Sequence, residues 1–308
     1  MRYAIVDIGS NTVKISVYDD ESGTLKHVLS QSSTLGLATY RRDDRLTEEG
    51  IHVLAATLME YRRLAAMVSA DHFACIATAS LRNLLNADEV VARIKELCGM
   101  SIDIISGERE ATLGFVGLTS AVGKPQNGIF VDLGGASTEL ITIREGKPVS
   151  TVSLPFGALK LYHAHVSSLF PTDAEENAIR YHASTVLEDY LTGCEVSDEV
   201  AYLSGGTAKA IAKLMRLLSS DHDGCHIFAV DEFRTLAEAI RSTDGDFLHR
   251  AAARIPERIH MILPGLIALL TIFERYGIKT IQIVYSGIRD GYVAEMCGGG
   301  YEEGIRTV

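Results

Sequence analysis

The chain has 308 residues, 47% of them apolar and 22% charged, enough to bury the cores of about two ordinary domains. Its 40 acids exceed its 29 lysines and arginines, and the formal charge of −11 argues against a broad nucleic-acid-binding face, which needs a basic surface. No apolar run reaches the ~18 to 20 residues that cross a bilayer. An acid, Asp7, stands where a secretion signal would still be greasy, so a cytoplasmic location is expected and a membrane partner is not. The five cysteines are scattered and form no Cys-x-x-Cys pair, as expected of reduced thiols. His222, Cys225 and His226 share one polar, Gly-containing stretch without a second half elsewhere, which reads as a solvated loop rather than a zinc site.

Residues 2–8 and 13–18 are β-branched runs separated by Gly9-Ser10-Asn11-Thr12, the pattern of a hairpin with a polar tip. Apolar spacing predicts a helix over 46–67, started at Thr47 to Glu49, then a buried strand over 72–77 and a second amphipathic helix over 88–97. Residues 101–105 read as a strand, and 108–118 as a helix whose first turn carries Glu108 and Glu110. The stretch 121–128, with Gly123, Pro125, Asn127 and Gly128, is the clearest composition break. It sets an expected boundary between domains 1–124 and 125–308.

The second half opens as the first does. Gly128-Ile-Phe-Val-Asp132-Leu-Gly134-Gly135-Ala136-Ser137-Thr138 repeats the strand, Asp-x-Gly turn and returning strand of Tyr3-Ala-Ile-Val-Asp7-Ile-Gly9-Ser10-Asn11-Thr12, which implies two related halves. Helices over 172–191, 208–218, 231–242 and 256–276 then alternate with short strands near Ala201 and Thr280, so the class is α/β.

These turns have a definite chemical reading. Glycine lets backbone amides approach a phosphate, Ser10 and Asn11 add donors, and Asp7 can hold a cation through water as magnesium prefers. Asp132-Leu-Gly134-Gly135-Ala136-Ser137 offers consecutive amides to an anion, and two such loops facing one another would clamp a phosphate. Leu203-Ser204-Gly205-Gly206-Thr207 is a third Gly-rich loop, running into a helix N-terminus. On so acidic a chain, an anionic substrate needs such local help.

At this point the sequence resembles the exopolyphosphatase and guanosine pentaphosphate phosphatase (Ppx/GppA) family of the actin-like ATPase superfamily. The motifs run in family order from about Tyr3 to about Val293: Asp7 to Thr12, Ala77-Thr-Ala-Ser-Leu-Arg82-Asn with Asn86, Ile105-Ser-Gly-Glu-Arg-Glu110-Ala, Asp132 to Glu139, Ser153-Leu-Pro-Phe-Gly157-Ala, Gly205-Gly206-Thr207 and Gly287-Ile-Arg289-Asp-Gly291. The resemblance implies a two-domain actin-like (ribonuclease H-like, duplicated) fold with its active site in the interdomain cleft. It is to the short form, without the C-terminal helical domains of longer members, and distributive action on short chains is expected from that.

The same resemblance implies site residues. Glu110 takes the place of the catalytic base, Arg82 that of the arginine holding the transferring phosphoryl group, and Asp132 and Asp7 those of the loop acids. Magnesium or another divalent cation would be held by Asp7, Asp132 and Glu110. Phosphate would be held by Gly9, Ser10, Asn11 and Thr12, by Gly134, Gly135, Ala136 and Ser137, and by Gly205, Gly206 and Thr207. Arg289 is expected to be structural. Two departures stand out: Ser33-Thr34-Leu35-Gly36-Leu37 lacks the arginine common before its Leu-Gly, and Ala136 replaces a common third glycine. The implied activity is exopolyphosphatase, with guanosine pentaphosphate 5′-phosphohydrolase of the stringent response as the alternative. A non-catalytic guanosine tetraphosphate sensor is a further one. Polyphosphate or these nucleotides are the expected ligands, and a homodimer is left open.

Overall fold

The computed structural model of the chain describes residues 1–21, 24–191, 199–218, 226–242 and 245–298. Its opening hairpin pairs β1 (Arg2–Ile8) with β2 (Thr12–Glu21), placing Asp7 opposite Lys14 and Ile8 opposite Val13. The chain continues through β3 (Thr24–Thr34), a 3₁₀ turn at Leu37–Tyr40, the short strands β4 (Arg41–Arg42) and β5 (Arg45–Leu46), and α1 (Glu48–Met67). After β6 (His72–Ala77), α2 (Ala79–Arg82), α3 (Ala87–Cys98) and β7 (Ile102–Ile104), α4 (Gly107–Val122) closes the first half.

These strands form one sheet in the order β3-β2-β1-β6-β7, with β6 parallel to β1 and β7 parallel to β6. Both faces of β1 are covered, which is why its sequence is an unbroken apolar run rather than an alternating one. Ala4, Val6 and Ile8 face the cluster of Leu54, Leu58 and Tyr61 from α1. Tyr3 and Ile5 face Ile105, Leu113, Ile288 and Val293. Strand β3 escapes a periodicity reading because it is an edge strand, and its Ser30, Gln31, Ser32 and Ser33 bury little.

The second half runs β8 (Gly128–Leu133), β9 (Thr138–Arg144), β10 (Lys147–Leu154), α5 (Ala158–His165), α6 (Asp173–Tyr190), β11 (Val200–Ser204) and α7 (Gly205–Leu218). It ends with β12 (Ile227–Ala229), α8 (Val230–Arg241), α9 (Gly245–Arg254), α10 (Ile259–Tyr276), β13 (Thr280–Ile283) and α11 (Ile288–Met296). The sheet order is β10-β9-β8-β11-β13-β12. The β3-β2-β1 and β10-β9-β8 meanders are thus the same device used twice, as the sequence repeat implied.

Contacts divide the chain into Met1–Gly117 with the segment that begins at Ile288, and Leu118–Gly287. The division falls inside α4, before the composition break at 121–128, and α11 belongs to the first unit. A sequence pattern marks where helices stop, whereas a unit is defined by what its side chains touch. Within that unit α11 packs tightly on α4: a Cβ on Gly291 would lie 2.0 Å from the Leu113 carbonyl oxygen and 2.7 Å from its carbon. Gly291→Ala should therefore cost about 1–3 kcal/mol as an overpacking substitution. That corresponds to a Tm drop of roughly 2–4 °C per kcal/mol for a domain of this size. An unchanged melting curve would show that α11 can shift freely along α4.

Helix α10 lies within the helix expected over 256–276 and runs through Pro264 and Gly265 without a break, but it corrects the expectation that no apolar run is long enough to cross a bilayer. It is long and apolar enough to cross a membrane, yet 78% of it is buried inside the protein. Those are the marks of a core helix. Cys75, Cys98 and Cys297 are free thiols, while Cys194 and the His222 to Cys225 stretch lie outside the described residues.

Candidate active site

In the first unit, the parallel strands β1, β6 and β7 bring their C-terminal ends together, where α/β sheets place ligands. Asp7 and the 9–12 turn follow β1, Arg82 follows β6 on α2, and Glu110 follows β7 in the first turn of α4. Gly9 N donates to Thr12 O at 3.1 Å to close the turn. Behind it, Gly36 N donates to Asn11 O at 2.9 Å and Ala38 N to Ser10 O at 3.2 Å. The Leu35-Gly36-Leu37 segment therefore acts through its backbone, pinning the loop carbonyls from the rear. Thr12 Oγ1 is buried without a hydrogen-bond partner among the described residues.

Arg82 and Glu110 are brought together. Arg82 Nη1 donates to Glu110 Oε2 and to Ile105 O, both at 2.9 Å, and the two side chains are 22% and 12% exposed. The pair holds the carboxylate in a fixed orientation. Only one of the two terminal nitrogens of Arg82 is used in this way, so the other remains available to an anion. Asn86, from the same motif, is structural: Oδ1 accepts from Leu46 N at 2.9 Å and Nδ2 donates to Leu46 O at 3.0 Å.

Asp7 also has a cation. Arg289 Nη1 donates to Asp7 Oδ2 at 3.0 Å, with the side chains 15% and 19% exposed. Burial works against the Arg289 charge, but Asp7, Tyr18 and Asp290 more than offset it and hold its pKa above the usual value. The arginine expected to be structural thus neutralises the acid of the first loop.

The second unit repeats the construction. Gly134 N donates to Ser137 O at 3.0 Å, while Ala158 N and Lys160 N at the start of α5 donate to Gly134 O and Gly135 O, each at 2.9 Å. Gly157 must lie flat on this loop, since a Cβ there would come within 2.6 Å of Ala136 N. With the carbonyls tied back, the amides of Gly135 and Ala136 make no hydrogen bond among the described residues. A concave row of such amides suits an anion.

The third loop adjoins it, because β11 pairs with β8 so that Ser204 lies beside Asp132. Gly205 has φ +93, and a Cβ on it would meet Asp132 Oδ1 at 2.2 Å. Thr207 is not on this surface: it is 2% exposed, and its methyl packs toward Gly265. Among the described residues no group of three or more acid, His or Cys side chains could hold a metal. Asp132 can still take a divalent ion together with water and substrate oxygens, since magnesium needs only one or two carboxylates. Asp7 and Glu110 would have to exchange an arginine to do so.

One residue at the loops escaped the motifs. The Arg258 guanidinium lies over Gly206, where a Cβ would be 2.5 Å from Nη2. Burial lowers its pKa, opposed by Glu257 and Asp132. No spacing ties Arg258 to Gly206; only the packing of α10 on α7 does. Glu139, the last residue of the Asp132 to Glu139 motif and assigned no role from it, is 2% exposed, accepts from Ser153 Oγ at 2.9 Å and lies opposite Asp132 on β9.

The far end of α5 carries a pH-sensitive contact. His165 Nε2 and His182 Nδ1 are 2.9 Å apart, which links α5 to α6. Burial, then His165 and Lys160, lower the His182 pKa, and burial, then His163 and Arg258, lower that of His260. As pH falls through ~6.5 the unfolded chain takes up these protons before the folded one, so stability is lost toward acid. Thermal melts between pH 7.5 and 5.5 should show Tm falling, and His182→Gln should reduce the slope. A slope unaffected by the substitution would remove His182 from the cause.

A profile of the Ppx/GppA phosphatase family matches residues 16–298. The chain is 25% identical over 301 residues to a guanosine-5'-triphosphate,3'-diphosphate pyrophosphatase of Photobacterium profundum, covering 96% of this chain and 59% of that protein. It is 26% identical to the Vibrio cholerae protein of that name, covering 99% and 61%. The chain thus spans about three-fifths of the length of these relatives. Among solved structures, an Aquifex aeolicus Ppx/GppA family member matches with TM-score 0.80 and 22% identity over 98% of this chain and 99% of that one. An exopolyphosphatase from Cytophaga hutchinsonii matches with TM-score 0.86 and 18% identity over 97% and 98%. These likenesses show the two-domain actin-like fold. With its profile match over nearly the whole chain and both of its Asp-x-Gly loops built alike, the chain belongs to the Ppx/GppA phosphatase family.

Proposed function

We propose that the chain is an exopolyphosphatase, a phosphoric anhydride hydrolase that removes the terminal phosphate of inorganic polyphosphate by in-line attack of water. The observation that carries a phosphohydrolase reading is the Arg82–Glu110 pair beside a phosphate-type loop, because a binding module needs the arginine but not a held carboxylate. Glu110 takes the proton of the attacking water. Arg82 and the loop amides stabilise charge spreading over the phosphoryl oxygens. A divalent cation would supply further neutralisation, and its candidate ligands are Asp132 in the second unit and, after arginine exchange, Asp7 and Glu110 in the first.

The names of the relatives favour a second reading, a guanosine pentaphosphate 5′-phosphohydrolase. Both substrates end in a linear phosphoanhydride, so the same groups would serve. Phosphate release from long polyphosphate, guanosine pentaphosphate and ATP, compared side by side, decides between them; release from none of the three would sink both and leave the tetraphosphate sensor. Excess chelator should abolish hydrolysis and magnesium restore it. Full activity in chelator would remove the cation from the scheme.

A further inference from the structure

Helix α7 begins at the Gly205–Gly206 loop and carries cations only. Its 14 residues include Lys209, Lys213 and Arg216 and no acid, in a chain where acids outnumber lysines and arginines by 40 to 29. Spacings of four and three put the cations on one helical face. Tyr285, which follows β13, lies along that face. Lys209 Nζ donates to the Tyr285 carbonyl at 3.0 Å and stands 5.8 Å from its ring centroid. Arg216 Nη2 donates to the Tyr285 hydroxyl at 3.2 Å, and the His226 ring meets the Tyr285 ring edge-on at 5.2 Å.

Three features point to a ligand. Tyr285 is 46% exposed yet held from three sides, so its ring is fixed without being buried in a core. Lys213 and Arg216 have no carboxylate partner among the described residues, and Arg216 Nε is buried without any hydrogen-bond partner. The cations also lie in a line. At a rise of 1.5 Å per residue, Lys209 is ~6 Å and Arg216 ~16 Å along the axis from Gly205. The Arg216 side chain folds back toward the helix N-terminus to reach Tyr285, as helical side chains tend to do.

We propose that this stripe binds the distal phosphates of a linear polyphosphate whose nearer phosphates lie at the Asp132 and Gly205 loops. Spaced cations without acids between them match a repeating anion. A nucleobase is disfavoured because Lys209 stands over the ring face on which it would stack. The proposal rests on the exopolyphosphatase reading and names the groups that would set preference for longer chains.

The test compares KM for long polyphosphate with KM for tripolyphosphate, which is too short to reach Arg216. The Lys213→Gln, Arg216→Gln double variant should raise the long-to-short KM ratio about tenfold, as expected for loss of two charge-assisted contacts near the surface. Lys213→Gln alone, at an exposed position, should move the ratio in the same direction and guards against misfolding at Arg216. An unchanged ratio, or KM rising alike for both substrates, overturns the proposal. Equilibrium binding of long polyphosphate is measured in parallel, with the unsubstituted protein and the double variant, at two salt concentrations. The variant should bind more weakly and with a shallower salt dependence. If the protein hydrolyses nothing, the exopolyphosphatase reading fails while this binding comparison still decides the stripe. Weakened binding of guanosine pentaphosphate with polyphosphate binding intact would also overturn it, reassigning the face to a nucleotide.

Discussion

Glu110→Gln should keep the fold and lower turnover by ~10²-fold or more, the usual cost of removing a general base. The replacement is nearly isosteric, and its amide oxygen can still accept from Arg82 Nη1, the contact now made by Glu110 Oε2 at 2.9 Å. Position is retained while basicity is lost. KM should change little, because the phosphate contacts assigned to the loops remain. Arg82→Ala should also depress turnover, for two reasons: it removes a phosphoryl contact and it removes the ion pair that ties Glu110 to α2. Steady-state kinetics together with a thermal melt separates these effects from unfolding. Near-normal turnover in the glutamine variant would show that some other group activates the water.

Gly205→Ala is expected to have the next largest effect, and on activity more than on stability. Two costs coincide at this position. The φ of +93 is one that a residue with a Cβ adopts only under strain, and that Cβ would fall 2.2 Å from Asp132 Oδ1. Since a Cβ cannot overlap an oxygen, either the Asp132 carboxylate rotates away or the Ser204–Gly206 segment shifts. A misplacement on the order of 1 Å at a reacting centre can cost about 10²-fold in rate. The stability penalty should be smaller, about 1–3 kcal/mol for one strained residue. The check is kcat beside Tm, and a variant with intact kcat would show that the position of Asp132 is not critical to the reaction.

The hairpins at 2–18 and 128–144, the helices α1, α3, α6 and α8, and the buried strand β6 were legible because each rests on local chemistry. A period of two or 3.6, a turn glycine or a cap such as Thr47, whose side chain accepts from Gly50 N, is written in adjacent residues. The edge strand β3 and the short α5 and α11 were not, because they owe their form to what they pack against. Residues 256–276 show the limit plainly: the apolar pattern announced a helix, but only burial among its neighbours explains why a proline inside it is tolerated.

The candidate site divides in the same way. By itself the sequence determined the repeated Asp-x-Gly loops, their anion-binding character and the identity of Asp7, Arg82, Glu110 and Asp132 as chemical groups, since residue type and order fix these. Tertiary structure decided how the acids are partnered: Glu110 by Arg82, and Asp7 by Arg289 from α11. It also decided that Thr207 turns inward, that Arg258 covers Gly206, and that Gly36, Ala38, Ala158 and Lys160 hold the loops by their carbonyls. The physical reason is range. A turn is closed by atoms three residues apart, whereas an ion pair between residues 7 and 289 exists only because the folded sheet and α11 bring them within 3.0 Å.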